Sequence, residues 1–107
     1  MKCFRFATYA VLCLSLSGGA LAAPTADRKA ELMYLLAQDC GACHGMRLKG
    51  GLGPSLKPEA LRQWDAEQLA QTILHGRPGT PMPPWSPFMS HQEALWLAQQ
   101  LKEGISQ

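Results

Sequence analysis

The segment DCGACHGM, Asp39 to Met46, holds two thiols separated by two residues, with an imidazole directly after the second. Cys40, Cys43 and His44 are metal donors, and the two thiols are also a redox couple. Four chemistries compete for them. A catalytic dithiol would follow a β-strand inside a βαβ unit. A structural disulfide would close a very short loop, which constrains the unfolded chain little, and would leave His44 without a task. A structural zinc ion needs four ligands. His75 or His91 would have to supply the fourth, and neighbouring Cys and His side chains rarely both reach one tetrahedral ion. The fourth chemistry is covalent attachment of a cofactor through both sulfurs. Compartment and surrounding elements decide among them.

Lys2 and Arg5 precede the apolar run FATYAVLCLSLSGGALA, which ends in the small-x-small triplet Ala20-Leu21-Ala22. This is the pattern of a cleaved secretory signal, residues 1–22. Its apolar run is shorter than the roughly 20 residues of a membrane span. Cys3 and Cys13 leave with it. Leu12 is too bulky for a lipoprotein signal at Cys13. The mature domain, residues 23–107, keeps Cys40 and Cys43 and is expected in the periplasm, free of the membrane. The chain has 10 basic and 8 acidic residues. Removing Lys2 and Arg5 leaves eight of each sign, a formally neutral domain. No basic block with interleaved aromatics occurs, which excludes a nucleic-acid partner. So short a domain buries a modest core and gains from a stapling cofactor.

Three helical segments are legible. The first spans roughly 26–43, with Thr25 as N-cap and Asp27 in the first turn. Leu32, Leu35, Leu36, Asp39, Cys40 and Cys43 recur at spacings of three and four, so one stripe runs into the thiols. An irregular loop follows, with glycines at 45, 50, 51 and 53 and prolines at 54 and 58. It leads into a short turn of helix around 59–63. The second helix starts at Asp65, which pairs with Gln68 as a capping box. Leu69 and Ile73 form its buried edge, and Gly76 ends it. RPGTPMPPWSPF holds five prolines in twelve residues and cannot be helix. The third helix starts at Ser90 with Glu93 and ends before Gly104. Its apolar face is Ala94, Leu95, Leu97, Ala98 and Leu101. No strand pattern exists, so the fold class is all-α.

An exported, all-α chain selects the fourth chemistry. Cys-x-x-Cys-His is the attachment motif of c-type haem. Each thiol adds to one vinyl group, and the two-residue gap matches the separation of the vinyls on adjacent pyrroles. Gly41 and Ala42 are small enough not to obstruct the porphyrin edge. His44 then lies beneath the iron as an axial ligand. Met82, braced by Pro81, Pro83 and Pro84, is the expected second ligand, a thioether that favours reduced iron. Met46 is too near His44 to reach the opposite face. Met33 lies in the first helix, and Met89 is expected in the core. His75 and His91 would give bis-His ligation at a lower potential.

On CGACH, GPSL, MPPW and SHQEALWLAQQL, taken in that order, the chain resembles a class I cytochrome c. The resemblance covers nearly the whole mature sequence. It implies three main helices and loops around one haem, with the first and last helices crossing near Leu32 and Leu95–Ala98. It also implies that the Pro54 carbonyl accepts from His44 Nδ1–H and that Trp64 approaches a haem propionate. More narrowly, CGACHGMRLKGGLGPSL and GRPGTPMPPW are similar to the cytochrome c-55X family of denitrifying bacteria. That likeness implies an electron shuttle rather than an enzyme. Its partner would be cytochrome cd1 nitrite reductase or an enzyme of haem d1 maturation. Two alternatives are a factor that handles haem d1 and a ligand-binding haem protein with an open iron site. No distal acid–base pair supports the latter. Arg47, Lys49 and Lys57 flank the motif and are expected to meet an acidic partner. A monomer is expected, with exchange of the Met82-bearing half between two copies as a minor form.

Overall fold

The computed structural model describes residues 23–106. The expected signal, with Cys3, Cys13 and the cut after Ala22, lies outside the described residues. Helix α1 is Ala26–Leu35, capped by the Thr25 hydroxyl, which accepts from Arg28 N–H at 3.3 Å. A wide π-turn, Leu36–Cys40, continues it into α2, Gly41–His44. Helix α3 is a single turn, Pro58–Leu61, α4 is Ala66–His75 and α5 is His91–Glu103. Among the described residues there is no strand, and no helix is long and apolar enough to cross a membrane.

The caps at Asp65 and Ser90 form as the sequence predicts. Each side chain accepts from the backbone N–H three residues on, and Gln68 and Glu93 reach back to the cap residue's own N–H. Two orphan donors are satisfied at each helix start. Helices α4 and α5 pack most extensively. Ala70, Ala94 and Ala98 have no exposed surface, and residues this small let the two backbones approach closely. Leu32, Leu97 and Ala98 share one buried cluster, which brings α1 against α5. Met89 is buried in that cluster, and Trp96 packs on its edge. Lys29 Nζ lies 5.6 Å above the Trp96 ring, a cation–π contact.

One expectation needs correction. The unbroken helix over 26–43 is interrupted by the π-turn, in which Gly41 N–H donates to the Leu36 carbonyl five residues back. The wide turn absorbs one extra residue. Asp39, inside this turn, is exposed and leaves the stripe set by Leu32 and Leu36. In α4, Leu69 and Ile73 are half-buried and pack against the core as expected, and Ala70 and Leu74 beside them are buried in it.

Arg28 fastens the two helix starts together. Its guanidinium donates to Glu93 Oε1 at 2.8 Å and Oε2 at 3.1 Å, to Glu31 at 2.9 Å, and to the Phe88 carbonyl at 2.8 Å. Arg28 therefore holds α1, α5 and the end of the proline-rich loop at once. Arg28 keeps the Glu93 carboxyl below the usual carboxylate range through these hydrogen bonds.

Candidate functional site

Helix α2 ends at Gly45, whose φ of 92° and ψ of 142° suit only glycine. A Cβ there would stand 2.6 Å from the Gly50 carbonyl oxygen. The turn brings the following loop back over the end of α2. Gly50 N–H donates to the His44 carbonyl and Gly53 N–H to the Cys43 carbonyl, both at 2.8 Å. Loop backbone thereby satisfies carbonyls that a helix end would otherwise leave open. Leu48 anchors the loop: it is buried, and its φ of 57° is a left-handed value uncommon outside glycine.

This loop places the Pro54 carbonyl 2.7 Å from His44 Nδ1. A carbonyl oxygen carries no proton, so Nδ1 must be the donor. Nε2 of the neutral ring then presents a lone pair, the state a metal-binding imidazole needs. Cys40 and Cys43 are free thiols, the first half-buried and the second exposed. Burial pushes the Cys40 thiol up to about 11, with a smaller contribution from the Asp39 charge. Two unjoined sulfurs on one helical turn, followed by an imidazole with an available Nε2, fit a haem attached through both thiols. Those residues would hold it. Among the described residues no three His, Cys, Asp or Glu side chains converge as a metal cage, so the four-ligand set of a structural zinc site is not assembled.

Met82 stands on the other loop. Gly76 opens it with φ 66°, and a Cβ there would lie 2.6 Å from the Met82 carbonyl oxygen. That carbonyl accepts from Arg77 N–H at 3.2 Å, and Met82 N–H donates to Thr80 Oγ1 at 3.3 Å. Further on, Trp85 N–H and Ser86 N–H donate to the Ile73 and Leu74 carbonyls at the end of α4. Trp85 and Phe88 rings pack 5.6 Å apart, tilted by 54°. Met82 is half-buried, Met46 exposed, and Met89 in the core. His91 is committed elsewhere, with Nε2 at 2.8 and 3.0 Å from the two Glu67 oxygens. His75 is exposed at the end of α4.

Trp64 is 37% exposed, on the turn after α3. The Leu61 and Trp64 carbonyls both accept from Lys102 Nζ of α5. Arg47, Lys49 and Lys57 converge with Ile105 around a concavity of about 460 Å³. Sequence reasoning missed the Lys102 and Arg28 ties. Each joins residues dozens of positions apart, and only the general preference for basic residues in a last helical turn hinted at Lys102.

Residues 27–100 match the family described as Cytochrome C oxidase, cbb3-type, subunit III. Cytochrome c55X of Pseudomonas aeruginosa is 58% identical over 81 residues, 76% of this chain and 68% of that protein. The solved structure of c-type cytochrome NirC superposes with a TM-score of 0.73 at 57% identity, covering 75% of this chain and 94% of that one. The structure of dihydro-heme d1 dehydrogenase NirN in complex with DHE gives 0.63 at 36% identity, covering 70% of this chain but 16% of that one. An all-α fold, a Cys-x-x-Cys-His turn whose imidazole is anchored through Nδ1, and this degree of likeness together place the chain among the class I c-type cytochromes, in the cytochrome c55X family.

Proposed function

We propose that the mature chain is a periplasmic electron carrier with one haem c held through Cys40 and Cys43, with His44 and Met82 as axial ligands. The observation that carries this reading is the 2.7 Å hydrogen bond from His44 Nδ1 to the Pro54 carbonyl. It sets the tautomer, turns Nε2 outward as a base and strengthens it as a donor. When bound, the haem supplies one-electron exchange. The chain's own residues hold the group, orient the imidazole and offer a thioether from a braced loop. With His44 and Met82 both holding the group, little geometry would change between oxidation states and small ligands would be kept out. Trp64 is proposed to lie near a haem propionate.

Membership in the c55X family supports a redox partner within denitrification, either cytochrome cd1 nitrite reductase as acceptor or a haem d1 maturation enzyme as donor. The likeness to dihydro-heme d1 dehydrogenase favours the second. It covers 14% of that protein, so it speaks for a shared electron-carrying unit and not for dehydrogenase activity. Binding of free haem d1 by this chain, read by spectroscopic titration, would instead favour a handling role.

The test is mass and spectrum of the exported protein. The expected mass is residues 23–107 plus one haem, with both thiols consumed. The oxidised protein should show the weak charge-transfer band of methionine-ligated ferric haem at the red end of the visible spectrum. Met82→Ala should lose that band, lower the potential and admit CO to the reduced iron. An unmodified dithiol polypeptide would end the reading.

A further inference from the structure

We propose that Gly53 is a positioning residue for the His44 imidazole and thereby sets the hydrogen bond that tunes this ligand. The inference rests on His44 being an axial ligand, as argued above. A Cβ at residue 53 would lie 2.8 Å from both Cε1 and Nδ1 of His44 and 3.2 Å from Nε2, where ordinary contact is 3.4–4 Å. No positive φ demands glycine here. The glycines with positive φ are 45, 50, 76, 79 and 104, and residue 53 is not among them. The left-handed conformation that favours glycine is absent at 53, and the obstacle an added Cβ meets there is the His44 ring. Gly79 is the converse case, with positive φ and nothing within 4 Å of an added Cβ.

The strain of an added methyl must fall on the imidazole. Gly53 N–H is bonded to the Cys43 carbonyl at 2.8 Å, and the Gly53 carbonyl accepts from Gly51 N–H at 2.9 Å. Backbone at 53 is thus held on both sides. The imidazole turns about two single bonds and yields first. Its displacement carries both nitrogens, moving Nδ1 from the Pro54 carbonyl and Nε2 from its ligating direction. A weaker Nδ1–H bond makes Nε2 a poorer donor, which stabilises ferric iron less and moves the potential positive.

The experiment compares haem-loaded wild type, Gly53→Ala and Leu52→Ala. Leu52 is 91% exposed, so its variant reports any general effect of altering the loop. Reduction potential and solvent exchange of the His44 Nδ1 proton in the reduced protein are measured. Gly53→Ala should have a more positive potential and exchange that proton about tenfold faster, the scale of one weakened hydrogen bond. Leu52→Ala should match wild type. Wild-type values in Gly53→Ala would overturn the proposal. If Gly53→Ala does not accumulate with haem, reduced wild type decides. A nuclear Overhauser contact between Gly53 Hα and His44 Hε1 sustains the proposal, and its absence overturns it. A His44 Hε1 resonance lacking the ring-current shift of iron-bound imidazole refutes the ligand assignment itself, and the proposal with it.

Discussion

Two loops flank the chemistry, and they are stiffened in different ways. The segment between α2 and α3 carries glycines at 45, 50, 51 and 53 and closes on the end of α2 through backbone hydrogen bonds. The segment between α4 and α5 carries prolines at 78, 81, 83, 84 and 87. It has fewer donors and is restrained by ring geometry, by two anchors on α4 and by Arg28 at its far end. The glycine loop orients a side chain, because a carbonyl meets His44 Nδ1 directly. The proline loop orients only backbone around Met82. This contrast teaches that, in the proposed haem site, the imidazole would be the pre-set ligand and the thioether the adaptable one.

Substitutions in the two loops sharpen or break that contrast. Gly45→Ala should have the largest effect. Its backbone region alone costs about 1–3 kcal/mol for a non-glycine residue, and the added Cβ meets the Gly50 carbonyl. Little haem-loaded protein should accumulate. Normal yield and stability would show the glycine loop to be far softer than its geometry implies.

Arg28→Ala comes next. It removes charge-assisted bonds to Glu93 and the Phe88 carbonyl, for about 2 kcal/mol of stability. The effect should be pH-dependent. Because Arg28 holds the Glu93 carboxyl below its ordinary range, Glu93 contributes fully above that range. The contribution disappears as pH falls through the depressed folded value. Thermal melts of wild type should therefore weaken in acid more steeply than those of Arg28→Ala or Glu93→Gln. Parallel acid limbs would remove Glu93 from the account.

Gly79→Ala in the proline loop should cost only about 1 kcal/mol, since positive φ is its sole obstacle. A loss as large as that of Gly45→Ala would erase the distinction between the loops. Thr80→Val should have the smallest effect, about 0.5–1 kcal/mol, by removing the hydroxyl that accepts from Met82 N–H. Its signature should be easier displacement of Met82 by added imidazole, with the His44 Nδ1 proton unchanged.

What was legible in the chain follows the range of each rule. Caps at Thr25, Asp65 and Ser90 and stops at Gly76 and Gly104 act over three or four residues, and all appear where spacing predicts. The π-turn did not announce itself, because periodicity through Leu32, Leu36 and Cys40 also suits an unbroken helix. Burial of Ala70 beside Leu69 was equally hidden. A helix's rotation is set by its neighbour, and α5 meets α4 with Ala94 and Ala98. The hydrogen bond between His44 and Pro54 spans ten residues. It was anticipated by family resemblance, not by local physics.

Alone, the sequence determined which groups are present for the chemistry: two thiols one helical turn apart, an imidazole beside them, and a thioether among prolines. Those are covalent facts, and short-range rules carry them into helices and loops. Tertiary structure decided which nitrogen of His44 keeps its proton, how near the His44 ring comes to residue 53, and how Arg28 ties the proline loop to α1. Each of these depends on atoms brought within about 3 Å by packing of segments distant along the chain, and no pattern of nearby residues encodes such a distance.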